Sequence, residues 1–144
     1  MTHVIRKAKK SDITVLSHLM EEMSGKPISQ EDMYNRLKMV EESSTDTIFV
    51  YEKNSEIQAT LVFRIRENIR EVSRYGEICI IVVRSSAKRH GIGRQLMDFA
   101  EHLAKELGCK GTYFISGFGR KAEAHQFYQD LGYKITGYRF VKEL

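Results

Sequence analysis

The chain has a single proline, Pro27, and two cysteines, Cys79 and Cys109, among its 144 residues. With one proline, no internal repeat and no low-complexity tract, nothing marks an interdomain linker, and one domain is expected over residues 1–144. Two isolated cysteines offer neither the spacing of a metal site nor the number of a disulfide framework; both are expected as reduced, buried thiols, and no metal is expected. No apolar run approaches the ~20 residues needed to span a bilayer. The opening MTHVIRKAKKSD holds no apolar stretch of signal-peptide length, so a cytoplasmic protein without a membrane partner is expected.

What is present is ordinary for a globular chain: 42% hydrophobic and 29% charged residues. A domain of this size buries roughly two-thirds of its unfolded surface, enough for a core without covalent staples. The formal charge of +4 raises nucleic acid as a partner. The basic residues, however, are spread along the chain and alternate with acids, and no helix-turn-helix or RNA-binding strand motif accompanies them, so no nucleic-acid partner is expected. The run Lys88-Arg89-His90 is the feature that still needs a ligand.

Periodicity predicts a strand over residues 3–7. Ser11 or Asp12 then caps a helix whose apolar positions Ile13, Leu16, Leu19, Met20 and Met23 recur every three or four residues. The Ser24-Gly25-Lys26-Pro27 break ends it, and Ser29-Gln30-Glu31-Asp32 opens a second helix, over 29–40, in the manner of a capping box. Strands over 47–51 and 58–66 flank a hairpin turn at Lys53-Asn54-Ser55-Glu56. The strand over 75–83 contains the unbroken run Ile78-Cys79-Ile80-Ile81-Val82-Val83, which suits a central strand covered on both faces. A long helix over 93–107 stops at Gly108; a strand over 112–116, a helix over 121–131 and a final strand over 133–142 complete a mixed α/β domain with helices packed on a central sheet.

Between a strand and a helix lies Lys88-Arg89-His90-Gly91-Ile92-Gly93-Arg94. The first turn of a helix has N–H groups without partners and the positive end of the dipole, and glycines let a phosphate approach that backbone. This is the composition of an anion site, and equally of a glycine turn serving only strand-to-helix geometry. It is neither a Walker loop nor a dinucleotide fingerprint, because the Lys-Ser/Thr pair and the third glycine are missing. The segment resembles the pyrophosphate loop Q/R-x-x-G-x-G/A of the GNAT superfamily of acetyl-CoA-dependent N-acetyltransferases, with Lys88 in the first position. Ala124-His125-Gln126-Phe127-Tyr128-Gln129-Asp130-Leu131-Gly132-Tyr133 resembles a second motif of that superfamily, A-x-x-F-Y-x-x-x-G-F, with Tyr133 for the last Phe. Order and spacing of the two motifs also match, so the resemblance covers essentially the whole chain and implies the GNAT acyl-CoA N-acyltransferase fold.

The resemblance further implies that the strand carrying Ile78 splays from the next one. The pantetheine arm of acetyl-CoA, the co-substrate, would lie in the opening against Ile81, Val82 and Val83, and its pyrophosphate on Lys88, Arg89, His90, Gly91, Ile92, Gly93 and Arg94. Many relatives have Asn where this chain has Lys121; Lys121 or Arg120 would then meet a phosphate or simply be solvated. Tyr128 matches the general acid that protonates the leaving thiolate; without the resemblance it reads as a core aromatic. Glu77 matches the general base of some members, whereas many small-molecule members have that Glu where this chain has Cys79. Glu77 is alternatively an ion-pair partner of Arg74 or Arg64. Cys79 as an acyl-carrying nucleophile and His125 as a titrating group are further alternatives, and Glu21 and Glu22 either attract a cationic amine or are a solvated helix end. The implied activity is direct acetyl transfer from acetyl-CoA to a primary amine of a small molecule. The alternatives are transfer to a protein amine, or a CoA-binding module without catalysis. A homodimer paired through C-terminal strands is compatible with the resemblance.

Overall fold

The computed structural model describes residues 2–116 and 122–144. Five strands, β1 (His3–Lys7), β2 (Asp46–Lys53), β3 (Glu56–Glu67), β4 (Arg74–Val83) and β5 (Gly111–Tyr113), form one sheet in the order β1-β2-β3-β4-β5. The first three pairings are antiparallel and β5 runs parallel to β4. Four helices flank it: α1 (Ile13–Ser24), α2 (Gln30–Glu41), α3 (Ile92–Glu106) and α4 (Ala122–Asp130).

Two-residue alternation along β2 and β3 sends side chains to two separate cores. Ile48, Val50 and Val62 meet Leu16 and Leu19 of α1 and Met33 and Leu37 of α2. Phe49, Tyr51, Leu61 and Phe63 meet Leu96, Met97, Ala100 and Ala104 of α3. A buried leucine such as Leu16 or Leu96 typically contributes about 2–5 kcal/mol against truncation to alanine. The β2–β3 hairpin closes through Asn54 and Ser55, whose φ angles of 55° and 64° supply the twist that a two-residue turn needs. Ser29 caps α2 as expected, its hydroxyl accepting from the Asp32 N–H at 3.0 Å.

Three expectations are corrected. Neither Ser11 nor Asp12 caps α1 through its side chain. A 3-10 turn over Lys10–Asp12 precedes the helix, and the Asp12 carboxylate accepts from the Lys9 N–H at 2.9 Å and pairs with Arg6 at 2.8 Å. The run from Ile78 to Val83 is not sealed: Ile78 is buried, but residues 79–83 are half-buried, because among the described residues no strand lies along that edge of β4. Finally, no strand forms over 133–142. Backbone N–H and C=O groups join a sheet only beside a partner, and β5, three residues long, pairs with β4 alone among the described residues.

Candidate active site

The site begins with an irregularity in β4. Its ladder with β3 pairs Val62 with Ile80 but Phe63 with Ile78, so Cys79 is an extra residue and the strand bends there. The ladder with β5 has only three pairs, Tyr75–Gly111, Gly76–Thr112 and Glu77–Tyr113. Past Glu77 the strands part, and the β4 edge over residues 78–83 faces no strand among the described residues. This is the splay that the resemblance implies.

The open edge leads to the N-terminus of α3. Arg89, with φ of 70°, and Gly91, with φ of 78°, turn the chain sharply into the helix. Left-handed backbone at a non-glycine such as Arg89 costs roughly 1–3 kcal/mol and persists only where the surroundings enforce it. The first hydrogen bond onto the loop is donated by the Gln95 N–H to Gly91 O, at 3.1 Å. The N–H groups ahead of it, on Ile92, Gly93 and Arg94, therefore have no acceptor within the helix. Lys88, Arg89, His90 and Arg94 are exposed around this end, and no acidic residue occupies the first turn. A β-carbon at Gly91 would meet nothing within 4 Å, and one at Gly93 only Phe127 Cζ at 3.9 Å. The space over both glycines is open to a ligand.

Tyr128 stands on the α3 side of the sheet. Its half-buried ring lies 4.4 Å from that of Phe114, just past β5, and belongs to the margin of the α3 core. Among the described residues its hydroxyl has no hydrogen-bond partner. Tyr133, in the place of the motif's last Phe, bonds Thr112 Oγ1 through its hydroxyl at 2.6 Å and anchors the turn after α4 to β5.

Glu77 stands on the opposite face, on the side of α1 and α2. Its carboxylate accepts from the Tyr113 hydroxyl at 3.3 Å, and Arg66 Nε lies 4.0 Å from it. Burial, then the neighbouring Glu77 charge, pushes the Tyr113 phenol upward, so that it stays a donor at neutral pH. Neither Arg74 nor Arg64 is the partner of Glu77. Arg74 pairs with Glu67 at 2.8 Å, and Arg64 grips Asp46 through contacts of 2.9 to 3.1 Å. The Arg64 guanidinium holds the Asp46 carboxyl below the usual carboxylate range. Asp46, Arg64, Arg66 and Glu67 line an open cleft of about 600 Å³ beneath the end of α2, and Glu77 stands beside it, next to Arg66.

Cys79, at the bulge, is half-buried, and its thiol is pushed up to about 11, first by burial and then by Glu77. A nucleophilic thiolate at neutral pH is thereby disfavoured. His125 shares a face of α4 with Tyr128; its Nε2 is enclosed and lacks a partner among the described residues. Glu22 is engaged elsewhere: it accepts from the Ser85 hydroxyl at 2.5 Å and the Ser85 N–H at 3.2 Å, tying α1 to the segment before the glycine loop. Arg120 and Lys121 lie outside the described residues. Sequence reasoning missed Tyr113, Arg66 and the Arg64–Asp46 pair. The spacing of Arg64 and Arg66 on one strand was a usable signal. Their apposition to Glu77 depends on a register that no local pattern specifies.

The parted strands open toward a helix N-terminus, and comparison with known proteins assigns the family. Residues 1–133 match the model of the acetyltransferase (GNAT) family, and the chain belongs to it. An aminoalkylphosphonate N-acetyltransferase of Salmonella typhimurium is 30% identical over 92 residues, spanning 64% of this chain and 59% of that protein. A solved structure from Bacillus halodurans C-125, described as a transcriptional regulator, superposes with a TM-score of 0.90 at 21% identity over 99% of this chain and 100% of the other. The aminoglycoside N-acetyltransferase AAC(6′)-Iy, solved in complex with CoA, gives a TM-score of 0.85 at 14% identity over 99% and 95% of the two chains. Members of this family use acetyl-CoA. No helix among the described residues is long and apolar enough to cross a membrane.

Proposed function

We propose that this chain, as one domain, transfers acetyl from acetyl-CoA directly to the primary amine of a small molecule. The observation that carries the reading is the unpaired β4 edge running into the N-terminus of α3. The extended pantetheine arm suits that edge, where Ile81, Val82 and Val83 offer backbone groups as an added strand would use them. The pyrophosphate suits the amides from Arg89 to Arg94, with Lys88 and Arg94 adding charge. The cleft lined by Arg66, next to Glu77, suits a small acceptor, and the named activity of the Salmonella relative is of this kind.

Glu77 and Tyr128 approach the gap from opposite faces of the sheet, which separates two proton transfers. An alkylammonium has no lone pair until it loses a proton, and Glu77 accepts that proton, directly or through water. The amine nitrogen then forms a bond to the thioester carbonyl carbon while the carbon–sulfur bond breaks. The departing sulfur takes the Tyr128 hydroxyl proton, the nitrogen gives up its second proton through water to the phenolate so formed, and a β4 amide near the bulge stabilises the charge on the carbonyl oxygen. Mass spectrometry after incubation with acetyl-CoA and a panel of amines and peptides tests the activity. Tyr128→Phe is expected to lower kcat by about 10²-fold with little change in acetyl-CoA affinity. Glu77→Gln should reduce kcat/KM and remove or shift the acidic limb of its pH profile. Both variants behaving as wild type would refute the assignment of roles.

The chain is also proposed to pair with a second copy of itself. Residues 134–144 carry exposed Ile135, Phe140 and Val141, with Phe140 93% exposed, and form no strand. Tyr133, just before the segment, is bonded to Thr112 of the edge strand β5. Reciprocal addition of these segments would cover the apolar side chains of both copies.

A further inference from the structure

The amine-acetyltransferase reading leaves the acceptor unnamed, and the cleft on the α1–α2 face narrows it. Arg64 and Arg66, two residues apart on β3, point to the same side of the sheet as Glu77 and differ in their engagement. The Arg64 guanidinium holds both Asp46 oxygens, and the Asp46 side chain is only 13% exposed, so this pair is committed to structure. Arg66 has no comparable grip. Its side chain is 55% exposed, its Glu77 contact is a single long approach of 4.0 Å, and it lines the cleft with Thr45, Met39 and Val40. A guanidinium is a planar fork whose donors match the oxygens of a carboxylate or a phosphate group.

Resting on the acetyltransferase reading, we propose that the acceptor is an amine that also bears an acidic oxyanion on a short spacer, with Arg66 binding the oxyanion and Glu77 the ammonium. The charges of the cleft and of Glu77 beside it are complementary to such a zwitterion. Arg64 and Asp46 cancel, Glu67 is taken by Arg74, and the remaining adjacent pair is one cation, Arg66, and one carboxylate, Glu77. A diamine meets Glu77 with one end but sets its second charge against Arg66. A neutral amine covers Arg66 without replacing the water it displaces, which is unfavourable for a charged group. Tyr113, bonded to Glu77, holds the carboxylate in place. An oxyanion held by Arg66 would also draw the guanidinium away from Glu77, freeing the carboxylate for the amine.

The test compares matched acceptors: β-alanine and 2-aminoethylphosphonate against β-alaninamide and 1,3-diaminopropane. The acidic amines are expected to show the higher kcat/KM. In Arg66→Met this preference should fall by about 10- to 100-fold, mainly through KM, as for loss of a hydrogen-bonded charge, and Arg66→Lys should restore part of it. A wild-type preference for the amide or the diamine, or an unchanged preference in Arg66→Met, would overturn the proposal. If no amine is acetylated although acetyl-CoA binds, the enzymatic reading fails on its own. Calorimetry of the same compounds with the CoA complex then decides: heat from the acidic amines that is lost in Arg66→Met upholds the oxyanion site, and its absence overturns it.

Discussion

At the scale of single residues, environment assigns different fates to groups of similar chemistry. Cys79 lies beside Glu77 at the mouth of the gap, yet burial and that carboxylate push its thiol up to about 11. A raised thiol pKa favours the neutral form, so at pH 7 the sulfur is protonated, and thiolate accumulates only as pH approaches the raised value. Alkylation of Cys79 by iodoacetamide is therefore expected to be slow at pH 7.5 and to be still climbing at about pH 10, where an ordinary thiol has levelled off. Peptide mass mapping with Cys109→Ser as background measures this. Rapid labelling at pH 7 would show an activated thiol and return Cys79 to the reaction. Glu77 was recognisable in the sequence because its place in the strand matched a known base. Tyr113 and Arg66 were not, since their proximity to it arises from the β3–β4 and β4–β5 registers.

At the scale of elements, two glycines show how the same residue type serves packing or ligand access. A β-carbon on Gly76 would lie 2.5 Å from Phe63 Cζ and 2.7 Å from Phe63 Cε1, inside a ring that is 1% exposed. Gly76→Ala is expected to destabilise the fold by about 1–3 kcal/mol, the usual cost of overpacking, and Phe63→Leu should recover part of it. Gly93→Ala meets only an ordinary contact at 3.9 Å, so the folded protein should keep its melting temperature while acetyl-CoA affinity drops. Thermal melts with calorimetry on both variants check the contrast; equal CoA affinity in wild type and Gly93→Ala would remove the loop from the cofactor site. Most elements were legible because their signals are local. Ser29 capped α2, Asn54-Ser55 turned the hairpin, Gly108 stopped α3, and hydrophobic spacing marked α1 and α3. The β4 run was legible as a strand but misleading as to its cover. Its half-buried apolar residues line an opening, and composition alone does not separate a sealed strand from one facing a ligand groove.

At the scale of the whole molecule, the C-terminal segment was misassigned because alternation records the tendency to pair and not the partner. Residues 134–144 have the apolar pattern of a strand but form none. Light scattering is expected to find a dimer that Phe140→Asp with Ile135→Asp converts to monomer. A monomeric wild-type protein at high micromolar concentration would exclude the pairing. The unpaired β4 edge has a second consequence, for the protein's lifetime in a cell. An apolar strand edge with free N–H and C=O groups is a template for other chains, so the unliganded molecule carries a built-in aggregation hazard. Bound acetyl-CoA would cover that template and stabilise the fold by mass action, in proportion to the logarithm of its concentration above Kd. Solubility and abundance would then follow the acetyl-CoA supply and fall when the donor runs short.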